Sequence, residues 1–208
     1  MRDSLYLQLM VVLAVISALA AGVLALVDSF TKPKIEAFKA QSEASAYQQV
    51  LAEADSFTED AQLMETISKQ PGFSFIENIK IGSKDGTVVG WVFKVASPGY
   101  SSNIVMLVGI KTDGSLGKVM VLDQKESPGL GTNVTDPGFI EQAPIADAKA
   151  GQVLKVTKEG GSVQAITGAT ISSRAVLSGI NQVLDFYLWQ QGKMDGATVD
   201  TMTEGTNP

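Results

Sequence analysis

The sequence predicts an α+β fold, with one N-terminal transmembrane helix followed by a single domain in which an antiparallel β-meander packs against helices. Three observations support this prediction: an apolar run over residues 9–27, short β-rich runs separated by glycine turns, and an apolar helical stripe after Ser172. A chain of 208 residues leaves room for one soluble domain of about 150 residues beyond the anchor.

The first element is a membrane span over residues 9–27, preceded by a short flank at residues 1–8. No residue from Ser4 to Val27 is charged, and a helix that rises about 1.5 Å per residue covers close to 30 Å of hydrocarbon over such a span. We predict a retained anchor rather than a cleaved signal peptide, although the run from Ser17 to Ala21 is similar to a small-residue cleavage site.

The second element is a juxtamembrane helix over residues 28–55, with Pro33 in a first turn. Its apolar residues recur at helical spacing and are Ile35, Phe38, Tyr47, Val50 and Leu51. The stripe either packs on the domain or forms a surface for a partner. An acidic segment with a short helix follows over residues 55–70 and ends at Pro71 and Gly72.

The domain itself is assigned to residues 56–190. Four β-rich runs joined by turns predict the meander, and they cover residues 73–81, 87–96, 103–112 and 116–122. Alternation places on the core face Trp91, Phe93, Val105, Leu107 and Val119.

Further elements complete the domain. A short helix begins at Asp136, strands cover residues 152–157 and a run ending at Ile166, and a last helix seats an apolar face on the sheet. The polar residues 191–208 are predicted to be a disordered tail.

Composition excludes several kinds of chemistry. The chain contains no cysteine and no histidine, so thiolate chemistry, disulfides, cysteine-bound iron-sulfur clusters, histidine zinc sites and serine-histidine triads are excluded. Redox work would therefore need an organic cofactor. The net charge of -6, without a basic cluster, argues against a nucleic-acid partner.

Two segments carry candidate chemistry. In the loop Glu126-Ser127-Pro128-Gly129-Leu130-Gly131 the glycines let backbone approach a flat ligand, although an ordinary turn has the same composition. The run Thr167-Gly168-Ala169-Thr170, followed by Ser172 and Ser173, places hydroxyls and free N–H groups at a helix start. Such a start binds phosphate, although either threonine would equally serve as a helix cap. Arg174 is either a phosphate partner or a solvated surface residue.

These two segments resemble signatures of one family. Residues 165–176 read AITGATISSRAV and resemble the flavinylation motif of the FMN-binding subunits of ion-translocating redox complexes, and residues 126–131 resemble the same family's E(T/S)PGLG signature. The length is closer to the G subunit of the Rnf ferredoxin:NAD complex than to the C subunit of the sodium-pumping NADH:quinone oxidoreductase.

The resemblance implies FMN bound covalently through its phosphate to Thr170. The implied cofactor-binding residues are Thr167, Gly168, Ala169, Ser172 and Ser173 around the phosphate, and Glu126, Ser127, Gly129, Leu130 and Gly131 near the ring. It also implies other membrane subunits as partners and a flavin transferase for maturation. The domain would lie on the extracytoplasmic side of the cell membrane, whereas Lys32, Lys34 and Lys39 favour the cytoplasm by the charge rule.

Two positions depart from the family pattern. Gln164 stands where relatives carry an aspartate, and Gln124 stands where many carry a histidine. The expected function is a membrane-anchored electron carrier with no turnover of its own. The alternatives are a single-pass extracytoplasmic sensory or ligand-binding domain for a phosphate-bearing metabolite, and a regulatory protein that uses the same flavin domain.

Overall fold

The computed structural model describes residues 2–192, so the tail predicted at residues 191–208 lies almost wholly outside the described residues. Two compact units are distinguished, Met1–Ala44 and Ser45–Pro208. The elements in chain order are helix α1 (Arg2–Val50), strand β1 (Ser56–Glu59), helix α2 (Ala61–Ser68), strands β2 (Ile76–Lys84), β3 (Thr87–Pro98), β4 (Asn103–Lys111) and β5 (Leu116–Asp123), and helices α3 (Pro137–Ile140), α4 (Ala143–Ala146) and α5 (Thr170–Gln190). Single 3-10 turns lie at Pro71–Phe73, Gly131–Thr135 and Thr157–Glu159.

Helix α1 contains the membrane anchor. Its segment Met10–Ile35 has a mean hydropathy of 2.8 and is long and apolar enough to cross a bilayer, with its side chains exposed. The apolar helix fits a single-pass anchor, as the sequence predicted. The helix continues through Pro33, so no separate helix begins at that residue, although a proline removes one helical hydrogen bond.

The domain is built on a five-stranded antiparallel sheet in which the strands follow one another in chain order. This confirms the predicted meander, and β2 to β5 overlap the four predicted runs. Strand β1 was missed in the acidic segment because its four residues, which pair with Lys80 to Ser83 of β2, are too short to show alternation. It forms an edge of the sheet.

One face of the sheet packs against α5 and forms the main core. Phe93, Val95 and Met106 of the sheet and Val176, Ile180 and Val183 of α5 are fully buried there. Trp91, Phe93 and Val119 belong to this face, as predicted. The rings of Phe93 and Phe186 meet edge to face, with centroids 4.8 Å apart, which fixes the C-terminal half of α5 on the sheet.

The opposite face packs against the end of α1 and forms a second core. Val92 and Leu107 of the sheet contact the buried residues Tyr47, Val50 and Leu51. The prediction that these three residues of the juxtamembrane stripe pack on the domain is therefore confirmed. Leu107 lies on this face and not on the predicted one.

Val105 is half-buried and shares that face with Leu107, because residues two apart in a strand point the same way. The prediction for both residues was wrong because β4 is almost continuously apolar from Ile104 to Ile110. A strand buried on both faces gives no alternation from which its phase can be read.

Two glycines allow α1 to approach the sheet closely. A Cβ atom added at Gly117 would lie 2.9 Å from the carbonyl oxygen of Val50, and one at Gly109 would lie 3.0 Å from it.

We expect Gly117→Ala to lower the free energy of unfolding by about 1–3 kcal/mol, because a backbone carbonyl cannot rotate aside. Thermal unfolding of the detergent-solubilised chain measures this, with Gly22→Ala, which has nothing within 4 Å, as the control. Equal melting temperatures for Gly117→Ala and the parent chain would contradict it.

The segment between the sheet and α5 contains no strands. The short helix at Asp136 is confirmed as α3, but the strands predicted at residues 152–157 and before Ile166 are wrong, and only an isolated bridge joins Val156 to Val163. The side chain of Asn181 replaces a strand partner for Leu154: its Oδ1 accepts the Leu154 N–H at 2.9 Å and its Nδ2 donates to the carbonyl at 3.0 Å.

Helix α5 carries a buried carboxyl group. Asp185 is only 4% exposed, and burial raises its pKa from an ordinary 3.8 to about 6.

The raised pKa of Asp185 makes the stability of the domain depend on pH. As the pH rises, Asp185 loses its proton at a lower pH in the unfolded chain than in the folded chain, so the free energy of unfolding should fall between about pH 4 and about pH 6. We expect Asp185→Asn to add on the order of 2 kcal/mol to the free energy of unfolding at neutral pH. Chemical denaturation at pH 5 and above pH 7 measures the free energy of unfolding, and Asp147→Asn, at an exposed position, is the control. Equal changes in the two variants would contradict the prediction.

Candidate functional site

The structure brings the two candidate segments together in one cavity of about 470 Å³. Its lining residues are Tyr100, Glu126, Ser127, Leu130, Gly131, Gly168, Ala169, Thr170, Ile171 and Ser172. A cavity of this size suits a small organic ligand. Two others, of about 500 and 570 Å³, contain neither segment, so the candidate site is the one that both segments line.

Three predicted site residues lie beside this cavity rather than in its lining. Thr167 is exposed and lines a neighbouring cavity of about 400 Å³. Gly129 is exposed in its loop with φ +72°, a conformation that favours glycine. Ser173 is fully buried beneath the turn that precedes α5.

The turn before α5 is held by Ser173. Its hydroxyl donates to the Ala169 carbonyl at 2.9 Å and accepts the Ile166 N–H at 3.0 Å. The turn closes through the Ala169 N–H, which donates to the Ile166 carbonyl at 3.0 Å, and Gly168 supplies a φ of +76°. Ser173 therefore positions the residues that face the cavity instead of facing it.

Helix α5 starts without a side-chain cap. Ala169 occupies the N-cap position and no side chain accepts a hydrogen bond there, so the interpretation of either threonine as a cap is wrong. Thr170 is the first helical residue and is half-buried. Its hydroxyl makes no hydrogen bond to another of the described residues. Free N–H groups and the positive end of the helix dipole thus lie beside an unpaired hydroxyl.

Glu126 ties three segments of the site together. Its Oε1 accepts the N–H groups of Ser101 at 2.9 Å and Ser102 at 3.2 Å. Its Oε2 accepts the Tyr100 N–H at 3.3 Å and the Ser172 hydroxyl at 2.7 Å. The carboxylate, only 5% exposed, therefore joins the β3–β4 turn, its own loop and the first turn of α5.

The surroundings of Glu126 favour its charged form. Burial raises the pKa of this carboxyl group, but hydrogen bonds from Ser172 and from the N–H groups of Ser101, Ser102 and Tyr100 outweigh burial and lower the pKa below its ordinary 4.5. All four donors are engaged on the carboxylate. Glu126 is thus an anionic anchor for the cavity wall.

The loop from Ser127 to Asn133 is closed by its own polar groups. The Leu130 N–H donates to the Ser127 carbonyl at 3.1 Å, and the Gly129 N–H donates to Thr132 Oγ1 at 3.0 Å. A Cβ atom at Gly131 would lie 2.7 Å from both Glu126 Cβ and Ser172 Oγ. Only glycine lets this loop approach α5 so closely.

The positions that depart from the family pattern have structural partners. Gln124 Oε1 accepts the Glu126 N–H at 2.7 Å. The backbone of Gln164 forms two hydrogen bonds with the Gln142 side chain: the Gln164 N–H donates to Gln142 Oε1 at 2.8 Å, and Gln142 Nε2 donates to the Gln164 carbonyl at 2.9 Å. Gln164 itself is exposed. Arg174 forms an ion pair of 2.5 Å with Glu159 and is half-buried, so it is not a free surface residue.

Sequence reasoning missed two lining residues, Tyr100 and Ile171. Tyr100 lies in a turn whose signals are proline, glycine and serine, and Ile171 lies between hydroxyl residues that drew the attention to themselves. Their exposure, 68% for Tyr100 and 42% for Ile171, is a property of the folded chain. An apolar residue next to a phosphate-binding motif is the one signal that could have indicated Ile171.

The residues present fit a phosphate-bearing flat ligand. An uncapped helix start suits the phosphate, a free hydroxyl suits its attachment, and the side chains of Tyr100, Leu130 and Ile171 give the cavity an apolar part. Within residues 2–192 no acidic cluster could hold a metal ion.

Comparisons with known proteins identify the family. The FMN-binding domain family matches residues 99–185, and the RnfG N-terminal region matches residues 11–50. The G subunit of the Na⁺-translocating ferredoxin:NAD⁺ oxidoreductase complex of Acetobacterium woodii is 36% identical over 188 residues, 86% of this chain and 90% of that protein. The G subunit of the ion-translocating oxidoreductase complex of Methanosarcina acetivorans is 32% identical over 189 residues, 89% of this chain and 96% of that protein.

Among solved structures, NqrC of Shewanella oneidensis is similar, with a TM-score of 0.46 and 18% identity over 73% of this chain and 74% of that one. The two sequence signatures lie within the matched FMN-binding domain, which confirms the resemblance read from them. The chain therefore belongs to the family of the G subunits of Rnf-type ion-translocating oxidoreductase complexes, as a membrane-anchored subunit that transfers electrons through FMN.

Proposed function

We propose that FMN is joined covalently to this chain through a phosphodiester on the Thr170 hydroxyl, and that the bound flavin relays electrons between other subunits of a ferredoxin:NAD⁺ oxidoreductase complex. One observation supports this attachment site. Thr170 is half-buried at a helix start without a side-chain cap, its hydroxyl has no hydrogen-bond partner among the described residues, and it lines the same cavity as residues of the 126–131 loop. The name of the Acetobacterium woodii relative supports the type of complex.

Attachment requires a flavin transferase as the catalyst and, as the donor, a flavin dinucleotide whose FMN phosphate is activated as a diphosphate. An Oγ–P bond forms at Thr170, the diphosphate P–O bond breaks, a nucleoside monophosphate leaves, and the hydroxyl proton passes to solvent. The resulting monoanionic ester would lie at the positive end of the α5 dipole, which stabilises an anion. The exposed Gln164 side chain leaves this departure from the family pattern accessible to that enzyme.

Each part of the chain has a role in this proposal. Glu126 and Ser172 hold the loop against α5, Ser173 fixes the turn, and Leu130 supplies apolar surface. The flavin, when bound, accepts and releases the electrons. A covalent bond also replaces binding affinity, so the cofactor is not lost by dilution.

The test is mass analysis of the full chain purified from its own membrane. Flavin fluorescence should stay with the polypeptide on a denaturing gel, and peptide mapping should place the added mass on Thr170. Flavin released on denaturation would contradict covalent attachment and indicate reversible binding. Recombinant protein needs coexpression with a flavin transferase, since a host without that enzyme gives an uninformative result.

We further propose that the domain lies on the extracytoplasmic side. The natural chain has no cysteine, so single introduced cysteines report their side without background. In intact cells, a membrane-impermeant maleimide should label Ser162→Cys, at an exposed position of the domain, and should label Arg2→Cys only after permeabilisation. The reverse pattern would place the domain in the cytoplasm.

A further inference from the structure

A second cavity lies beside the attachment site and is separate from the cavity that Thr170 lines. Its volume is about 400 Å³, and its walls are the α3 region and the four residues 164–167 that lead toward Thr170. We call it the Gln164 cavity. Because Thr167 lines it and Thr170 lines the other one, the two cavities flank the same short motif.

The two walls of the Gln164 cavity are fixed relative to each other. Gln142 follows α3, and its side chain forms two hydrogen bonds with the Gln164 backbone, at 2.8 and 2.9 Å. Asp136 is the N-cap of α3, and its Oδ1 accepts the Gly138 N–H at 2.7 Å. Asp136 also lines the cavity. The carboxylate and the segment before the attachment site therefore face one preformed space.

Free charge is scarce around the attachment site. Residues 160–173 contain no charged side chain, and the flanking residues Glu159 and Arg174 are paired with each other. The charged residues that line the two cavities are Glu126 and Asp136. Glu126 is buried and engaged by four donors, whereas Asp136 is exposed and accepts one hydrogen bond from the described residues. Asp136 is therefore the carboxylate that an approaching molecule would meet.

The donor that the attachment needs is strongly anionic. A flavin dinucleotide carries a diphosphate, so an enzyme that holds it surrounds it with cationic side chains or a divalent cation. This cationic surface must come close to the Thr170 hydroxyl for the phosphoryl group to be transferred. An exposed carboxylate beside the acceptor attracts such a surface, and a charge at the rim of an interface acts mainly on the rate of association.

We propose that the Gln164 cavity is the docking surface for the flavin transferase, and that Asp136 is the acidic group by which the enzyme recognises this chain. The inference rests on the proposed attachment to Thr170. Asp136 lies outside both sequence signatures and comes beside the motif only through the fold. Position 164, where the family pattern has an aspartate, holds glutamine, and the carboxylate of this cavity comes from α3 instead.

The test measures the initial rate of flavin incorporation. The full chain is purified in detergent from a host without a flavin transferase, and purified transferase, flavin adenine dinucleotide and Mg²⁺ are then added. Covalent flavin fluorescence per polypeptide on a denaturing gel gives the rate at a limiting concentration of the chain. Asp136→Asn should lower this rate about two- to fivefold at low salt. Asparagine keeps an oxygen that caps α3 and removes only the charge.

Two further measurements distinguish recognition from a structural role. Adding Gln164→Asp to Asp136→Asn should restore the parent rate, because it returns a carboxylate to the same cavity. The difference between Asp136→Asn and the parent should disappear at about 0.5 M salt, where charges are screened within a few ångströms. Glu141→Gln is the matched control and should keep the parent rate, since Glu141 is an exposed carboxylate at the other end of α3 and does not line this cavity.

The outcomes separate the two proposals. A parent chain whose Thr170 stays bare with an active transferase overturns the attachment and the docking surface together. An occupied Thr170 with equal rates for Asp136→Asn and the parent overturns the docking surface alone. A slower Asp136→Asn rate that neither salt nor Gln164→Asp corrects would show that Asp136 only supports the fold, and would also overturn it.

Discussion

Replacing Thr170 with valine is expected to abolish covalent flavin incorporation altogether. Valine keeps the size and β-branched shape of threonine but has no hydroxyl, so no Oγ–P bond can form while α5 still begins at residue 170. Flavin fluorescence of the polypeptide band on a denaturing gel, with intact-protein mass, measures the result in a host that supplies a flavin transferase.

Two variants act as controls for this prediction. Thr167→Val removes the exposed hydroxyl at the other end of the motif and should leave the added mass in place. Thr170→Ser keeps a hydroxyl at the same position and should retain some incorporation. A Thr170→Val chain that still carries covalent flavin would contradict the attachment site.

Replacing Glu126 with glutamine is expected to have the largest effect on the site's stability. One carboxylate oxygen becomes an N–H donor, which must then face N–H or O–H donors from residues 100–102 and Ser172. Unmade buried hydrogen bonds and an opposed donor pair should lower the free energy of unfolding by about 2–4 kcal/mol. Chemical denaturation at neutral pH measures the loss, and Glu141→Gln, at an exposed position, should change little.

The same variant should alter the acid sensitivity of the domain. The folded-state pKa of Glu126 is lowered from 4.5, so its ionic contribution is complete above that value and is lost as the pH falls through the lowered folded-state pKa. Glu126→Gln has no such proton to gain. Its stability relative to the parent should therefore improve as the pH falls below about 4.5, and parallel curves would contradict this.

Elements with strong local signals were predictable from the sequence. The hairpin strands β2 to β5 are flanked by glycine turns, and the apolar stripe of α5 repeats at helical spacing, so both were placed close to their observed bounds. β1 could not be found, because four polar-rich residues become a strand only by pairing with β2. The segment at residues 152–157 was wrongly predicted as a strand for the converse reason: the Asn181 side chain, and not a neighbouring strand, satisfies the backbone of Leu154.

The candidate site was predictable in its two sequence segments but not in their connection. Glycine turns and hydroxyls at a helix start are local signals, so the residues from Glu126 to Gly131 and from Thr167 to Thr170 were recognised. The contact between Glu126 and Ser172, and the addition of Tyr100, depend on how the β3–β4 turn folds over the loop. Neither arises from spacing along the chain.

The second core decides where this protein can be cut. Because Tyr47, Val50 and Leu51 are packed under the sheet, a water-soluble fragment designed to start after residue 55, at the predicted domain boundary, would leave Val92 and Leu107 bare and prone to self-association. A fragment that starts at Ser45, where the second compact unit begins, keeps these three residues over Val92 and Leu107. The C-terminal turns of α1 are therefore part of the folded FMN-binding domain and belong in any soluble fragment of it.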